Sequence, residues 1–264
     1  MNVIYEPRGR ALEYALLACN LYGGRCSHGC AYCYVAGAMR KSRAQWEATP
    51  WYVRKDVIKW LERDAERLAG TEERVLLCFH CDPYTPEAAN FGVTRQALKV
   101  LRSHEVPFQV LTKGGMRAVP DFDLYGPHDA FATTLTYVHA QDVAVHEPMA
   151  ASPNDRERAI YEAHDRGIQT WVSLEPVLDP RDALLWIQGI HQAVDLFKVG
   201  KLNHDPALEK RIDDDFGWAL FAWHAMNLCN KFGKPFVFKK DLLEYCDFHI
   251  VGAATFDPRK VVRA

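Results

Sequence analysis

Three cysteines define the chemistry open to this chain. They lie in Asn20-Leu21-Tyr22-Gly23-Gly24-Arg25-Cys26-Ser27-His28-Gly29-Cys30-Ala31-Tyr32-Cys33-Tyr34, spaced as C-x3-C-x2-C. Thiolates are the ligands that iron–sulfur clusters prefer, and close spacing lets one loop wrap a metal cube. Gly23, Gly24 and Gly29 permit tight turns and close backbone approach. Three cysteines leave one iron of a 4Fe–4S cluster without a protein ligand, and an open coordination position is what a reactive cluster needs. Two plainer readings stand beside this one. Structural zinc requires a fourth ligand, for which Cys19 and His28 are candidates. The resulting C-x6-C-x3-C-x2-C is not a usual zinc spacing, which pairs cysteines at two separate places. A passive electron-transfer cluster normally brings four cysteines.

The pattern C-x3-C-x-aromatic-C after a first strand resembles the signature of the radical S-adenosylmethionine (SAM) superfamily. The longer Asn20–Tyr34 string is similar to the branch that contains spore photoproduct lyase. Cys81-Asp82-Pro83-Tyr84 matches that branch's Asp-Pro-Tyr after the second strand, and Thr112-Lys113 its Thr-Lys after the third. The resemblance runs from about Leu17 to Ser173. It implies a 4Fe–4S cluster on Cys26, Cys30 and Cys33, with SAM chelated to the open iron. It implies reductive cleavage of SAM to methionine and a 5′-deoxyadenosyl radical that takes hydrogen from a substrate. An external one-electron donor of flavodoxin or ferredoxin type follows. So does a nucleobase or nucleic acid substrate, handled by a lyase, an isomerase or a base-modifying enzyme. A peptide or small metabolite is the alternative.

The same resemblance implies roles for further residues. Tyr32 fills the aromatic slot beside the adenine of SAM, where an aromatic face can stack; simple loop packing is the plainer reading. Asp82 stands where the superfamily has a Gly-Gly-Glu-like element, absent here. It can accept from the SAM ammonium or serve as the turn residue before Pro83. Lys113 offers a cation to the SAM carboxylate. Thr134, with Thr133 and Thr136, offers hydroxyls to the ribose, although Thr is also a good strand former. Glu175, in Ser173-Leu174-Glu175-Pro176, ends an apolar strand and faces ribose or substrate. Lys198, Lys201 and Asn203 cluster after another strand and can meet a phosphate or carboxylate. Cys81 is the candidate that returns a hydrogen atom to a product radical, with Cys78 second; free cysteines are often only small buried hydrophobes. Cys229 and Cys246 read as core or surface. His104, His139, His146 and His164 have no paired spacing.

Alternating elements must position these residues. Strands are expected over Ala11–Asn20, Val75–His80, Phe108–Thr112, Ala130–Val138, Ile168–Leu174 and Leu196–Val199. Amphipathic helices are expected over Val53–Leu68, Thr94–Ser103 (capped by Thr94), Ser152–Arg166, Arg181–Val194 and Phe216–Phe232. Ser152 is the N-cap of its helix, Pro153 its first residue and Gly167 its stop. Pro235–Phe238 is a further strand or an extended tail, and His204–Asp215 a polar surface excursion. Six β–α units in a row predict an α/β fold, a partial (βα)6 TIM-type barrel, with a doubly wound sheet fitting almost as well. Either places functional residues at the C-terminal ends of the strands. One domain over 1–264 is expected, with its core over about 11–204 and a helical or extended tail over 205–264.

Composition limits the function. With 264 residues, 48% of them hydrophobic, the chain can bury a large core. A net charge of −2 and a pI near 6.6 argue against a general basic coat for nucleic acid. No recognisable DNA-binding motif is present. No apolar run reaches the ~18 residues of a membrane span, and the charged start does not read as a signal peptide. The expected location is cytoplasmic. Eight cysteines without a secretory signal point to metal or redox chemistry rather than disulfides.

Overall fold

The computed structural model describes residues 2–203, 205–254, 257 and 259–261. Short apolar runs, buried on both faces, build one eight-stranded sheet. Ten strands occur among the described residues: β1 (Ile4–Tyr5), β2 (Leu17–Cys19), β3 (Tyr22–Gly23), β4 (Tyr52–Val53), β5 (Val75–Leu77), β6 (Phe108–Thr112), β7 (Ala130–Thr134), β8 (Gln169–Val177), β9 (Leu196–Lys201) and β10 (Phe236–Phe238). The large sheet has the order β1-β2-β5-β6-β7-β8-β9-β10, while β3 and β4 form a separate antiparallel ribbon. From β2 to β10 every pairing is parallel, and only β1 runs antiparallel, on β2.

This order corrects the sequence expectation in two ways. Neighbours follow chain order without a reversal, so there is no switch point and the doubly wound alternative fails. The parallel strands number seven rather than six, because Phe236–Phe238 pairs with β9 in the register Phe236 to Phe197. The sheet does not close into a barrel among the described residues: β1 and β10 are its two edges. Side chains of residues 9–13 span the upper part of that seam. Arg10 Nη1 meets Asp241 Oδ2 at 3.2 Å, and Glu13 Oε1 accepts from the Lys240 N–H at 2.8 Å. At the opposite end two backbone bridges occur. Ala253 bridges to Phe236, and Lys260 bridges to Glu73.

Helices cover the outer face. Val57–Arg67, Val93–Ser103, Pro153–Asp165, Pro180–Ile190 and Trp218–Lys231 pack their apolar stripes on the strands. Ser152 caps its helix through the Asp155 N–H, with Pro153 first, as expected. Thr94 does not cap. Its helix starts one residue earlier, after Gly92 at φ 66°, and the Thr94 hydroxyl instead donates to Pro83 O at 2.7 Å. The expected strand Ala11–Asn20 is also shorter. Gly9–Glu13 is a 3-10 turn, because Arg10 and Glu13 bind the segment after β10 and hold the chain out of the ladder. The polar stretch before Asp215 is a helix, Pro206–Asp215, capped by Asp205; its first residue, His204, lies outside the described residues.

Candidate active site

A cavity of about 300 Å³ opens at the C-terminal ends of the parallel strands. Each strand delivers residues to it: Cys78 and Cys81 after β5, Thr112 and Lys113 from β6, Thr134 from β7, Ser173 and Glu175 from β8, Lys201 from β9 and Lys239 after β10. The loop after β2 supplies the remaining wall with Cys26, Cys30, Tyr32 and Cys33. One end of one sheet therefore gathers Cys26, Cys30, Cys33, Tyr32, Cys81, Asp82, Lys113, Thr134 and Glu175 from a span of 150 residues.

The cysteine loop is folded by specific ties. Gly24, at φ 76°, lets the ribbon close, since a Cβ there would lie 1.8 Å from Pro50 O. Gly29 turns the loop at φ 67° between the first two cysteines. Arg43 Nη2 donates to Cys30 O at 3.0 Å and Nη1 to Ala31 O at 3.3 Å, which fixes the turn from outside. On the other side the loop is zipped to residues 146–149. The Ala31 N–H donates to His146 O at 2.8 Å and the Met149 N–H to His28 O at 3.2 Å. Cys33 packs on a small cluster of Val35, Ala36 and Trp46.

Asp82 is the central strut. Its Oδ1 accepts from Thr112 Oγ1 at 2.5 Å and from the Tyr84 N–H at 2.8 Å; its Oδ2 accepts from the Lys113 N–H at 2.7 Å and lies 3.4 Å from His28 Nδ1. A carboxylate has about four lone-pair sites, and these four contacts use them. Burial opposes the charge, but the His28 ring and the hydrogen bonds outweigh it and hold Asp82 far below the usual carboxylate range. The bond to Tyr84 N–H two residues on is the local Asp turn foreseen for this position. His28 is itself occupied: Nε2 faces Arg117 Nη2 at 3.1 Å, and since a guanidinium only donates, Nε2 accepts and Nδ1 carries the proton towards Asp82. Cys19, the other proposed fourth zinc ligand, is fully buried in the core on β2 and does not line the cavity.

Tyr32 stands on a buried ion pair that sequence reasoning missed. Its hydroxyl donates to Glu147, and Glu147 also binds Arg156; both charged side chains are essentially inaccessible. Lys113 Nζ lies 5.5 Å over the Tyr32 ring. Burial works against the Lys113 charge, but Cys30 and Glu147 outweigh it and raise its pKa. Burial likewise pushes the Cys30 thiol up, to about 12, while Lys113 pulls it down. Cys26 is shifted the other way, held below the usual thiol value chiefly by the neighbouring Cys81 side chain against the cost of burial.

The far wall carries a second polar group. Glu175 accepts from Lys239 Nζ at 2.7 Å and from the Tyr14 hydroxyl, and Tyr14 also bonds Ser173 Oγ at 3.0 Å. Lys201 and Asn203 line the cavity, but Lys201 is paired with Glu209 at 2.6 Å and Asn203 donates to Asp241. Lys198 does not line it. The amine is buried under Tyr14 and Trp171, 4.1 Å from the Trp171 ring centre, and burial depresses its pKa to about 7. Thr133 donates away from the cavity to Thr112 O at 2.9 Å, and Thr136 does not reach the cavity. His104, His139, His146 and His164 do not line the cavity, nor do Cys229 and Cys246.

No protein-family model matches the sequence, and no curated protein does. Solved structures do. The chain shares the fold of spore photoproduct lyase. The lyase complexed with dinucleoside spore photoproduct superposes with a TM-score of 0.58 at 14% identity, over 80% of this chain and 64% of that one. A variant with bound AdoMet and the same dinucleoside gives 0.58 at 15% identity, over 76% and 61%. SuiB of Streptococcus suis bound to S-adenosylmethionine gives 0.55 at 8% identity, over 84% and 45%. These neighbours are radical SAM enzymes. The chain spans about three fifths of the lyase chains it matches. Among the described residues no group of three His, Cys, Asp or Glu side chains is gathered tightly enough for a single metal ion. The three loop cysteines all line the one cavity.

Proposed function

We propose that the chain is a radical SAM enzyme in which Cys26, Cys30 and Cys33 hold a 4Fe–4S cluster and leave one iron open. The observation that carries this reading is the convergence of those three thiols on a cavity at the C-terminal ends of parallel strands, beside Tyr32 and Lys113. Three soft donors, a nearby cation and an enclosed wall fit a cluster with an external ligand. When bound, the group would supply one-electron reductive cleavage of SAM, with methionine leaving and the 5′-deoxyadenosyl part left as the hydrogen-abstracting species.

The chain's own residues then have definite tasks. Lys113, kept charged by its surroundings, attracts the SAM carboxylate. Tyr32, pinned by Glu147, presents a fixed aromatic face to the adenine. Thr134 faces the cavity with a hydroxyl for the ribose. Asp82 has its acceptor sites taken by protein groups, which favours its turn role and makes it a support for the wall rather than a ligand. Glu175, held by Tyr14 and Lys239, closes the side on which a substrate enters. Lys239 belongs to the segment after 205, which supports a single domain over 1–264.

We further infer a nucleobase or nucleotide substrate, processed by a lyase, isomerase or base-modifying reaction. The lyase structure holding a dinucleoside supports this class. A flavodoxin- or ferredoxin-like protein is the proposed electron donor. The test is anaerobic reconstitution, iron and sulfide analysis, reduction, and incubation with SAM and deuterated oligonucleotides. Formation of 5′-deoxyadenosine, with deuterium transferred into it, is expected. A fully loaded, reduced protein that releases none in any mixture refutes the enzyme reading.

A further inference from the structure

The outer side of the cysteine loop has a charge unlike that of the chain as a whole. Residues 14–46 hold Arg25, Arg40, Lys41 and Arg43 and not one Asp or Glu, although the chain has 34 acidic residues. Contacts gather three of these cations around Thr49 and Cys30. The Arg25 N–H donates to Thr49 O at 3.3 Å, Lys41 Nζ to Thr49 Oγ1 at 3.0 Å, and Arg43 Nη2 to Cys30 O at 3.0 Å. Arg40 precedes Lys41 and is exposed, and none of the four lines the cavity. Outside the cavity, Glu47 meets this stretch through Arg43 at 2.7 Å and half-buried Glu87 through Ser27, which leaves a surplus of positive charge. The same stretch exposes apolar atoms: Met39 is 43% exposed, and Ala31, Ala38 and Ala44 are open to solvent. Ala31 lies between Cys30 and Cys33, so the loop that carries the sulfurs reaches the surface there.

We propose that this basic face, built on Arg40, Lys41 and Arg43, is where an acidic one-electron carrier protein docks to reduce the cluster. The inference rests on reading the three cysteines as cluster ligands. A cluster that gives up one electron must be refilled: the carrier is oxidised by one electron and the cluster is reduced by one. Geometry favours entry from this side. Arg43 is bonded to the carbonyls of Cys30 and Ala31, so its helix, Arg43–Glu47, is fastened directly to a ligand residue. The cavity stays free for SAM and substrate, because the four cations lie outside it. Positive charge on a small face speeds the encounter with an acidic partner, and a small contact lets that partner leave again. A nucleic acid would also be drawn to basic residues, but its reacting base must reach the cavity, which this face does not line.

The test follows cluster reduction by stopped-flow absorbance in reconstituted protein, without SAM or substrate. The reductants are a reduced flavodoxin of net negative charge and reduced methyl viologen, a small cation. The proteins are wild type, a docking variant (Arg40→Glu with Lys41→Glu) and a control variant (Lys99→Glu with Lys231→Glu). The control makes the same change in net charge at exposed sites on two other helices. At low salt the docking variant is reduced by flavodoxin more slowly, on the order of tenfold, and the wild-type rate falls as salt rises. The control stays within about twofold of wild type, and reduction by viologen falls in neither variant. Without the cluster, the docking variant binds oxidised flavodoxin more weakly, again on the order of tenfold, so the result does not depend on how well the variant loads. The proposal is overturned if flavodoxin reduces the docking variant as fast as wild type, if the control slows equally, or if viologen reduction slows as much. It is also overturned if the docking variant loses affinity only for a single-stranded oligonucleotide, since that assigns the face to nucleic acid. A wild-type protein that takes up no iron or sulfide defeats the cluster reading itself, and is seen before any kinetics.

Discussion

Replacing Asp82 by Asn tests whether this carboxylate is a strut or a waiting ligand. The substitution keeps the shape and converts one oxygen into a donor. That donor must then face the Lys113 N–H or the Tyr84 N–H, which are themselves donors. At least one hydrogen bond to a charged acceptor is lost, worth about 1.5–3 kcal/mol, and a second is weakened as the charge disappears. The expected loss at pH 7 is about 3 kcal/mol, or a fall in Tm of roughly 6 °C for a domain of 264 residues. The loss must depend on pH. Asp82 is held below its unfolded value, so its contribution is present above about pH 4 and disappears as the pH falls through the folded value. The assay is urea unfolding of cluster-free protein, wild type against variant, from pH 7 to pH 3. The gap should be widest at neutral pH and narrow in acid. A gap under 1 kcal/mol at pH 7, or one that does not change with pH, refutes the strut. An Asp82 that only awaited a SAM ammonium would leave cluster-free protein as stable as before.

Three further outcomes are expected. Cys30→Ala should abolish iron and sulfide uptake while Cys229→Ala leaves both intact; equal loss in the two variants would discard the ligand assignment. Glu147→Ala strands the buried Arg156 and should cost about 3–5 kcal/mol in chemical unfolding, so a loss below 1 kcal/mol would mean that the pair is solvated in solution. Lys198 has a folded pKa depressed to about 7, so between pH 7 and about 10 the unfolded state binds more protons and stability rises with pH. Lys198→Met should therefore be more stable than wild type at pH 7, with an advantage that shrinks by at most about 1.4 kcal/mol per pH unit towards pH 10. An advantage that is flat across this range would contradict the buried neutral amine.

Much of the site was legible because its signals are local. C-x3-C-x2-C is a single loop, and Asp82, Lys113, Thr134 and Glu175 each end an apolar run, which places them at one rim of a parallel sheet. The residues that sequence reasoning missed are recognisable only through distant partners. Glu147 meets Tyr32 across 115 positions, Lys239 meets Glu175 across 64, and Asn20 accepts from the Phe79 and His80 N–H groups across about 60. Nothing in the neighbourhood of Glu147 marks it as buried. The local errors have the same origin. Ala11–Glu13 has strand-like composition, yet the ion pairs of its neighbours Arg10 and Glu13 draw it out of the ladder. Thr94 has the chemistry of a cap, but its hydroxyl is taken by Pro83 O and by the Tyr22 hydroxyl.

The open edge of the sheet gives the molecule an easy direction of movement. Near the cavity the two margins are joined by Arg10 with Asp241 and by Glu13 with Lys239 and Lys240, contacts between side chains and a single backbone N–H. At the other end the main chain bridges at Ala253, to β10, and at Lys260, to Glu73 just before β5. Parting two neighbouring strands anywhere else would sacrifice a ladder of backbone hydrogen bonds. Parting this margin gives up side-chain contacts instead of a ladder: exposed Arg10 on buried Asp241, the largely buried Lys239–Glu13 pair, and Arg259 Nη1 on Leu12 O. The molecule is thus built like a purse, stitched at the base and clasped at the lip. Of the clasp's contacts, the exposed Arg10 on Asp241 is the one that added salt would loosen first.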